Sequence, residues 1–239
     1  CSARLPVYVL FAAAFFPQRR GLVVFSLYAL GVVLAALVAK VLSVFIKPDV
    51  SSTFVMELPP YRMPRVSGVL IQTWERGREF LHKAGTVILL AVVVVWALSN
   101  LPSGVAPGSP DSLIGRIGSA IAPLLRPAGF GTWQAAAALV FGAIAKELIV
   151  GTLGVLYGSG VGAGGIGLIG AIQAHWTPLS AYAFLVMSLV YMPCAATIAA
   201  IRRETGSRAW TAFAMAYPLV LGWALAVIVY QVGHLIGLG

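Results

Sequence analysis

The sequence reads FGAIAKELIVG over residues 141–151, a run that is apolar except for two adjacent charged residues, Lys146 and Glu147. The chain of 239 residues around it is 60% hydrophobic and only 10% charged. Soluble domains contain about 45–50% apolar and about 25% charged residues. The composition therefore predicts an integral membrane protein, in which two charges inside an apolar run need a physical explanation.

Six hydrophobic segments follow one another, separated by turn-forming Pro and Gly residues. They cover residues 5–16, 22–46, 84–101, 133–157, 179–201 and 211–236. A helix needs about 20 apolar residues to cross the hydrocarbon core of a bilayer. We therefore expect an all-α fold, a polytopic transmembrane bundle of about six hydrophobic segments.

The basic residues favour a bundle in which one helix is broken or re-entrant. The connector 47–83 holds six Lys and Arg residues and the loop 202–208 holds three. Cytoplasmic loops are enriched in these residues, so both stretches are predicted to be cytoplasmic. Six complete crossings would place them on opposite sides. Either one segment does not cross fully, and we then expect the break in 133–157 or 179–201, or one of the two loops is an exception to the charge rule.

The connector predicts an interfacial helix. Its first part, MELPPYRMP at 56–64, contains prolines that exclude a helix. In the second part, at 66–85, apolar and small residues recur at helical spacing among polar ones: Leu70, Trp74, Gly77 and Leu81. This pattern is typical of an amphipathic helix lying in the membrane surface.

Two acidic residues of the connector, Glu57 and Glu75, have two interpretations. In the first, they are solvated or paired with Arg62 and Arg76. In the second, they form a gating contact on the ion path.

The charges at Lys146 and Glu147 each cost about 2.5–3.5 kcal/mol at the centre of a membrane helix. Adjacent residues point about 100° apart on a helix, so each charge needs its own partner. One interpretation is a static buried salt bridge, with Arg4 or Lys40 as the partner of Glu147. The other is an ion-path or coupling site, because intramembrane charge is commonly functional.

A second motif, YMPCAATIAA at 191–200, places Pro193 inside an apolar segment. Pro193 has no N–H for the carbonyl of Leu189, and carbonyls at broken helices of transporters can bind cations. Cys194 adds a soft ligand, and Met192 and Pro193 become ion-path or gating candidates. The alternative is an ordinary proline kink beside a buried cysteine.

The stretch CSA at Cys1 resembles CAA at Cys194 and hints at an internal repeat, as many transporters have. Such a repeat would bring the two thiols to one site. Cys1, Cys194 and Glu147, together with backbone carbonyls, suit a borderline divalent metal such as Fe²⁺.

Five stretches resemble the membrane part of the ferrous iron transport protein B family, in the same order. They are CSARLPVYVLFAAAFF, MELPPYRMP, WERGREFLHKAGTVIL, AKELIVGTLGVLY and MPCAATIAAIRRETGSRAW. The resemblance implies a multi-pass protein of the bacterial inner membrane that moves Fe²⁺ into the cytoplasm through two gate-type repeats. It implies that Cys1 and Cys194 pass the iron, with Fe²⁺ as the transported ion and no tightly bound cofactor.

The resemblance also implies a domain organisation. Residues 1–46 would complete a first gate repeat and its following span, 47–83 would be the cytoplasmic connector, and 84–239 would form the second gate-type bundle. Because the sequence begins at Cys1 rather than Met, we expect it to be the C-terminal part of a longer polypeptide. The resemblance implies that this polypeptide carries a G-protein domain upstream. The 239 residues contain no GxxxxGK[ST] motif, so we predict no enzyme activity in them.

The expected partners are Fe²⁺, the lipid bilayer, the upstream G domain, a small cytosolic Feo-type accessory protein and further copies of the chain. Nucleic acid is not expected, because the basic residues behind the net charge of +9 lie between the apolar segments. Two other functions stay open: a membrane scaffold that transports nothing, and a gate-type carrier of organic solutes such as nucleosides.

Overall fold

The computed structural model describes residues 4–45, 63, 65–83, 85–86, 89–102, 109–157 and 164–237. Within these ranges the secondary structure is helical, without a strand, as the all-α prediction requires. The helices in chain order are α1 (Leu5–Phe15), α2 (Arg20–Phe45), α3 (Val66–Lys83), α4 (Leu89–Asn100), α5 (Leu113–Leu125), α6 (Trp133–Ile144), α7 (Leu148–Leu156), α8 (Gly164–His175), α9 (Pro178–Val190), α10 (Ala195–Thr205) and α11 (Arg208–Leu235).

All six predicted hydrophobic segments contain helices, but the helices differ in length. Only α2 and α11, of 26 and 28 residues, are long and apolar enough within the described ranges to cross a membrane. The apolar helices α1, α6 and α9 are shorter, with 11 to 13 residues. The described helices thus include two of spanning length.

Both segments that were candidates for a break are broken. The segment 133–157 is divided into α6 and α7 by three residues, and Ala145 there has extended backbone angles, φ −147° and ψ 131°. The segment 179–201 is divided into α9 and α10 by residues 191–194. The alternative of a simple kink at Pro193 is therefore wrong, because the helix ends at Val190 and a new one starts at Ala195.

Two helices contradict the sequence-based expectations. Helix α8 begins at Gly164 and lies between the predicted hydrophobic segments 133–157 and 179–201, where no helix was expected. Helix α5 was not anticipated at all, although Ser112 caps its first turn by accepting a hydrogen bond from the Gly115 N–H at 3.2 Å. Glycines interrupt the apolar pattern of both helices, and α5 also contains Arg116. Packing against neighbouring helices stabilises them instead.

The core is centred on α9, which packs against α1, α2 and α11. Four aromatic rings meet there, with centroids 5.1–5.5 Å apart for most pairs: Phe11, Phe130, Trp176 and Phe184. Aromatic pairs at such distances stabilise a core beyond the area that they bury. Because Phe11 belongs to α1, the first helix joins the same core as the later ones.

Helices α5 and α6 approach each other closely because small residues line their contact. Four consecutive alanines of α6, residues 135–138, are fully buried. A Cβ atom on Gly118 of α5 would lie 2.3 Å from the carbonyl oxygen of Trp133. Only glycine fits at this point, so α5 is fixed against the start of α6.

The outside of the bundle is apolar. On α2, Leu22, Phe25 and Val32 are 65–72% exposed, and α11 exposes Val220. Exposed apolar surface of this extent is unusual for a soluble monomer and typical of a lipid-facing surface. Helix α3 confirms the predicted helix in the connector, and its described side chains are exposed, including Trp74 at 73%.

Candidate functional site

The break between α9 and α10 is dictated by its local sequence. Helix α9 begins with a capping box between Thr177 and Ser180 and ends where the Tyr191 N–H bonds to the carbonyl of Met187 at 2.8 Å. Pro193 cannot donate a backbone hydrogen bond, so the helix cannot continue through it. The last carbonyls of α9 and the carbonyls of the break therefore need donors from elsewhere.

Two cationic side chains supply these donors. Arg4 donates through Nη1 to the carbonyl oxygen of Leu189 and through Nη2 to that of Tyr191 at 3.4 Å. Lys146 donates through Nζ to the carbonyl oxygen of Met192 at 2.6 Å. Cations are favoured at the carboxyl end of a helix by its dipole. The break of α9 is therefore a cation-binding position that the protein's own side chains occupy.

Lys146 comes from the other broken segment, since it lies between α6 and α7. Its side chain is 3% exposed, and its Nζ lies 4.2 Å from the centre of the Tyr191 ring. A cation over an aromatic face is attracted by the ring quadrupole. The phenol of Tyr191 in turn donates to the carbonyl of Leu139 in α6 at 2.8 Å. The two breaks thus form one site.

A cavity of about 330 Å³ opens beside these groups. Its lining combines charge, thiol, hydroxyl and aromatic groups, and includes Arg4, Lys146, Tyr191, Cys194, Thr197 and Pro218. Pro218 lies inside α11, where it too removes a backbone donor. Three broken or proline-containing helices therefore converge on a cavity that brings charged and thiol groups into an otherwise apolar bundle.

Cys194 is half-buried at the N-cap position of α10. Its Sγ lies 3.3 Å from Oγ1 of Thr197, one turn into the helix. The amino end of a helix favours negative charge. The thiol is thus held at the cavity, next to a hydroxyl and opposite the two cations.

The structure does not place the other predicted ligands at this cavity. Glu147 is half-buried at the N-cap position of α7 and is not among the lining residues. Cys1 lies outside the described residues. Among the residues that are described, no three His, Cys, Asp or Glu side chains form a group that could hold a metal ion.

The expected salt bridges are also not formed. Within the described ranges the ion pair is Arg76–Glu79, at 3.5 Å on exposed side chains, rather than a pair of Glu147 with Arg4 or Lys40. The same observation corrects the pairing of Glu75 with Arg76, because residues three apart face each other on a helix and adjacent ones do not. Glu75 is exposed on α3, and Glu57 lies outside the described residues.

Sequence reasoning missed three contributors to the cavity: the hydrogen bonds of Arg4 to α9, the hydroxyl of Thr197 and the proline of α11. Two of these contributors had a signal in the sequence. Thr197 follows Cys194 by three residues, the spacing of neighbours on a helix. Pro218 interrupts an apolar segment as Pro193 does. The carbonyl partners of Arg4 have no sequence signal, because they depend on tertiary packing.

Two family models match the chain in succession. The model described as "Ferrous iron transport protein B C terminus" matches residues 24–76, and the Gate model, "Nucleoside recognition", matches residues 81–208. The Fe(2+) transporter FeoB of Staphylococcus aureus (strain COL) is 48% identical over 236 residues, which is 98% of this chain. The chain belongs to the ferrous iron transport protein B family. This confirms the resemblance seen in the five sequence motifs.

Other members of the ferrous iron transport protein B family are similarly related. The Fe(2+) transporter FeoB of Methanocaldococcus jannaschii is 43% identical over 99% of this chain. A Fe(2+) transport protein A/Fe(2+) transporter FeoB fusion protein of Porphyromonas gingivalis is 37% identical over 98% of it. The chain spans 33–36% of the length of these three relatives. No solved structure matches the chain.

Proposed function

We propose that this chain is the permease segment of a ferrous iron transporter, and that Fe²⁺ passes through the cavity at the α9–α10 break. The observation that carries the proposal is the meeting of two broken apolar helices, joined by Lys146 and Tyr191, at a cavity that Cys194 lines. Broken helices of this kind form ion sites in transporters.

The lengths of the half-helices support an ion site at the middle of a membrane. Helices α6 and α9 have 12 and 13 residues. At 1.5 Å per residue they are about 18–20 Å long, somewhat more than half of the ~30 Å hydrocarbon layer. Both breaks would then lie near the bilayer midplane, where a passing ion is hardest to stabilise.

The proposed ligands are Cys194 and Cys1, with Glu147 offsetting the charge of the ion. A thiolate and backbone oxygens together suit Fe²⁺ among divalent metals. Met192 and Pro193 shape the path through their break, and Lys146 closes it from the other side. The gating role of Glu57 and Glu75 in the cytoplasmic connector remains a prediction.

We further propose a multi-pass location in the bacterial inner membrane. The bilayer would contact the exposed apolar faces of α2 and α11, and α3 would lie in the membrane surface. The chain itself would be no enzyme; an upstream G domain of the same polypeptide would bias the gate. The fusion of a Fe(2+) transport protein A to a relative favours a small accessory protein as a partner.

The test is uptake of Fe²⁺ by an iron-starved bacterium that lacks its own ferrous iron transporter and expresses the polypeptide carrying this segment. Cys194→Ser and Cys194→Ala should abolish most of the uptake, because the thiol would be lost at the cavity. Ser43→Ala, an equally small change on the exposed side of α2, should leave uptake unchanged. Normal uptake by both Cys194 variants at equal protein level would contradict the proposal, and a complete lack of metal binding would favour a scaffold.

A second candidate is a carrier of small organic solutes. It is favoured by the description "Nucleoside recognition" of the matching Gate model and by the cavity volume, which lies at the low end of the ~300–1,000 Å³ typical of ligand pockets. This candidate predicts that nucleosides compete with Fe²⁺ uptake or are themselves taken up. Fe²⁺ uptake that does not change in excess nucleoside, together with no uptake of the nucleoside itself, would exclude this second candidate.

A further inference from the structure

We infer that the ammonium of Lys146 is a resident cation, which occupies the metal position at the α9–α10 break until an arriving divalent ion displaces it. The inference rests on the proposed function, since it concerns the same cavity. It adds a role that differs from ligation: Lys146 would compete with the metal and so set which ions can bind.

The surroundings of Lys146 are those of a bound cation. Its Nζ donates to the Met192 carbonyl at 2.6 Å and faces the Tyr191 ring at 4.2 Å. In the part of the chain that the structure describes, no carboxylate forms an ion pair with it. A buried ammonium is thus held by a helix-end carbonyl and a ring face, which are groups that attract any cation.

A metal ion and the ammonium cannot both hold this position. A divalent ion bound to the Met192 carbonyl would meet Nζ, which already donates to that oxygen, and Cys194 lines the same cavity as Lys146. Like charges at such short range repel strongly where water is scarce. Binding of the metal must therefore be linked to departure of the ammonium, and by reciprocity the ammonium weakens the metal's binding.

The position of Lys146 permits that movement. It lies in the non-helical stretch between α6 and α7, and its four-carbon side chain is flexible. Arg4 differs, because its guanidinium is bound to two carbonyls, those of Leu189 and Tyr191. Arg4 would stay as a fixed cap of α9 while Lys146 moves, which leaves the Met192 carbonyl and the Cys194 thiol for the metal.

The test is an anaerobic titration of the purified polypeptide in lipid nanodiscs with Co²⁺, whose thiolate absorbance reports binding at cysteine. Lys146→Met keeps the length of the side chain without its charge, and it should tighten Co²⁺ binding about tenfold or more, because a competing cation is lost. Lys146→Arg keeps the charge and should not tighten binding. Lys40→Met, on the exposed face of α2, is the matched control and should bind as the unsubstituted protein does.

The outcomes separate the two proposals. If the unsubstituted protein binds Co²⁺ through Cys194 and Lys146→Met binds it no more tightly, the resident-cation inference is wrong while the proposed metal site stands. If neither the unsubstituted protein nor any variant binds Co²⁺, both proposals fail.

A second measurement needs no substitution. Amine-reactive labelling of Lys146, read by peptide mass spectrometry, should rise several-fold when Co²⁺ is added, because the ammonium leaves its buried contacts. Labelling of Lys40 should not change. Equal labelling of Lys146 with and without bound Co²⁺ would show that the metal does not displace it.

Discussion

Tyr191 donates its phenol hydrogen to the carbonyl oxygen of Leu139 at 2.8 Å, and this bond ties the residue that ends α9 to the middle of α6. The ring of the same residue faces the Lys146 ammonium. One side chain therefore connects both broken helices. Tyr191 is buried, so its contacts are not exchanged for contacts with water.

Replacing Tyr191 with Phe should loosen this connection. The ring and its contact with Lys146 remain, while the buried hydrogen bond is lost, at a cost of about 1 kcal/mol of unfolding free energy. We expect a lower thermal unfolding midpoint in detergent and slower Fe²⁺ uptake. Tyr28→Phe removes a hydroxyl from an exposed tyrosine of α2 and serves as the control. An unchanged midpoint and unchanged uptake in Tyr191→Phe would show that the bond is dispensable.

Thr197→Val should alter the reactivity of Cys194. Valine keeps the shape of threonine but removes the hydroxyl that lies 3.3 Å from Sγ. A thiolate can only accept, so the Thr197 hydroxyl donates to the ionised sulfur and favours it; without that hydroxyl we expect alkylation of Cys194 by iodoacetamide to slow severalfold. Thr205→Val is matched, because it lies in the same helix and bonds to a backbone carbonyl instead. Equal alkylation rates in the two variants would exclude a role for the Thr197 hydroxyl.

Phe184→Ala should be among the most destabilising single changes in the core. Its ring is fully buried and contacts those of Phe11, Phe130 and Trp176. Removal of a buried Phe side chain costs about 3–5 kcal/mol of unfolding free energy. Phe25→Ala, at a position that is 72% exposed on α2, should cost far less in detergent. A similar loss of unfolding free energy in both variants would show that Phe184 is not part of the stabilising core.

Gly118→Ala should force α5 away from α6. The new methyl would lie 2.3 Å from the Trp133 carbonyl oxygen, a backbone atom that cannot rotate aside. Overpacking of this kind costs about 1–3 kcal/mol. Gly68→Ala in α3 meets no atom within 4 Å and should be neutral or slightly stabilising, because alanine favours a helix. A thermal midpoint that is unchanged by Gly118→Ala would show that the two helices can separate without loss.

Hydropathy correctly predicted the helices that consist of long apolar runs. Segments 22–46 and 211–236 became α2 and α11 because long apolar runs have no other stable conformation in lipid. Pro193 and the adjacent charges indicated the two breaks, since a missing N–H and a buried charge are both local facts of the sequence. The two candidate segments could therefore be named before the structure was known, although a break was expected in only one of them.

What could not be predicted depends on contacts between distant residues. Lys146 meets the Met192 carbonyl 46 positions away, and Arg4 meets α9 across 185 positions. A backbone carbonyl that accepts such a hydrogen bond has no residue signature, so the sequence suggested a salt bridge of Glu147 with Arg4 or Lys40 instead. Helix α5 was missed for a related reason: its glycine contact with α6 is visible only when both helices are placed.

The unequal lengths of the outer and inner helices have a mechanical consequence. Helices α2 and α11, with 26 and 28 residues, are about 39–42 Å long, roughly 10 Å more than the hydrocarbon thickness. Such helices accommodate the mismatch by tilting. A thinner bilayer would increase the tilt of α11, whose Pro218 borders the cavity, so the shape of that cavity would respond to the acyl-chain length of the surrounding lipid.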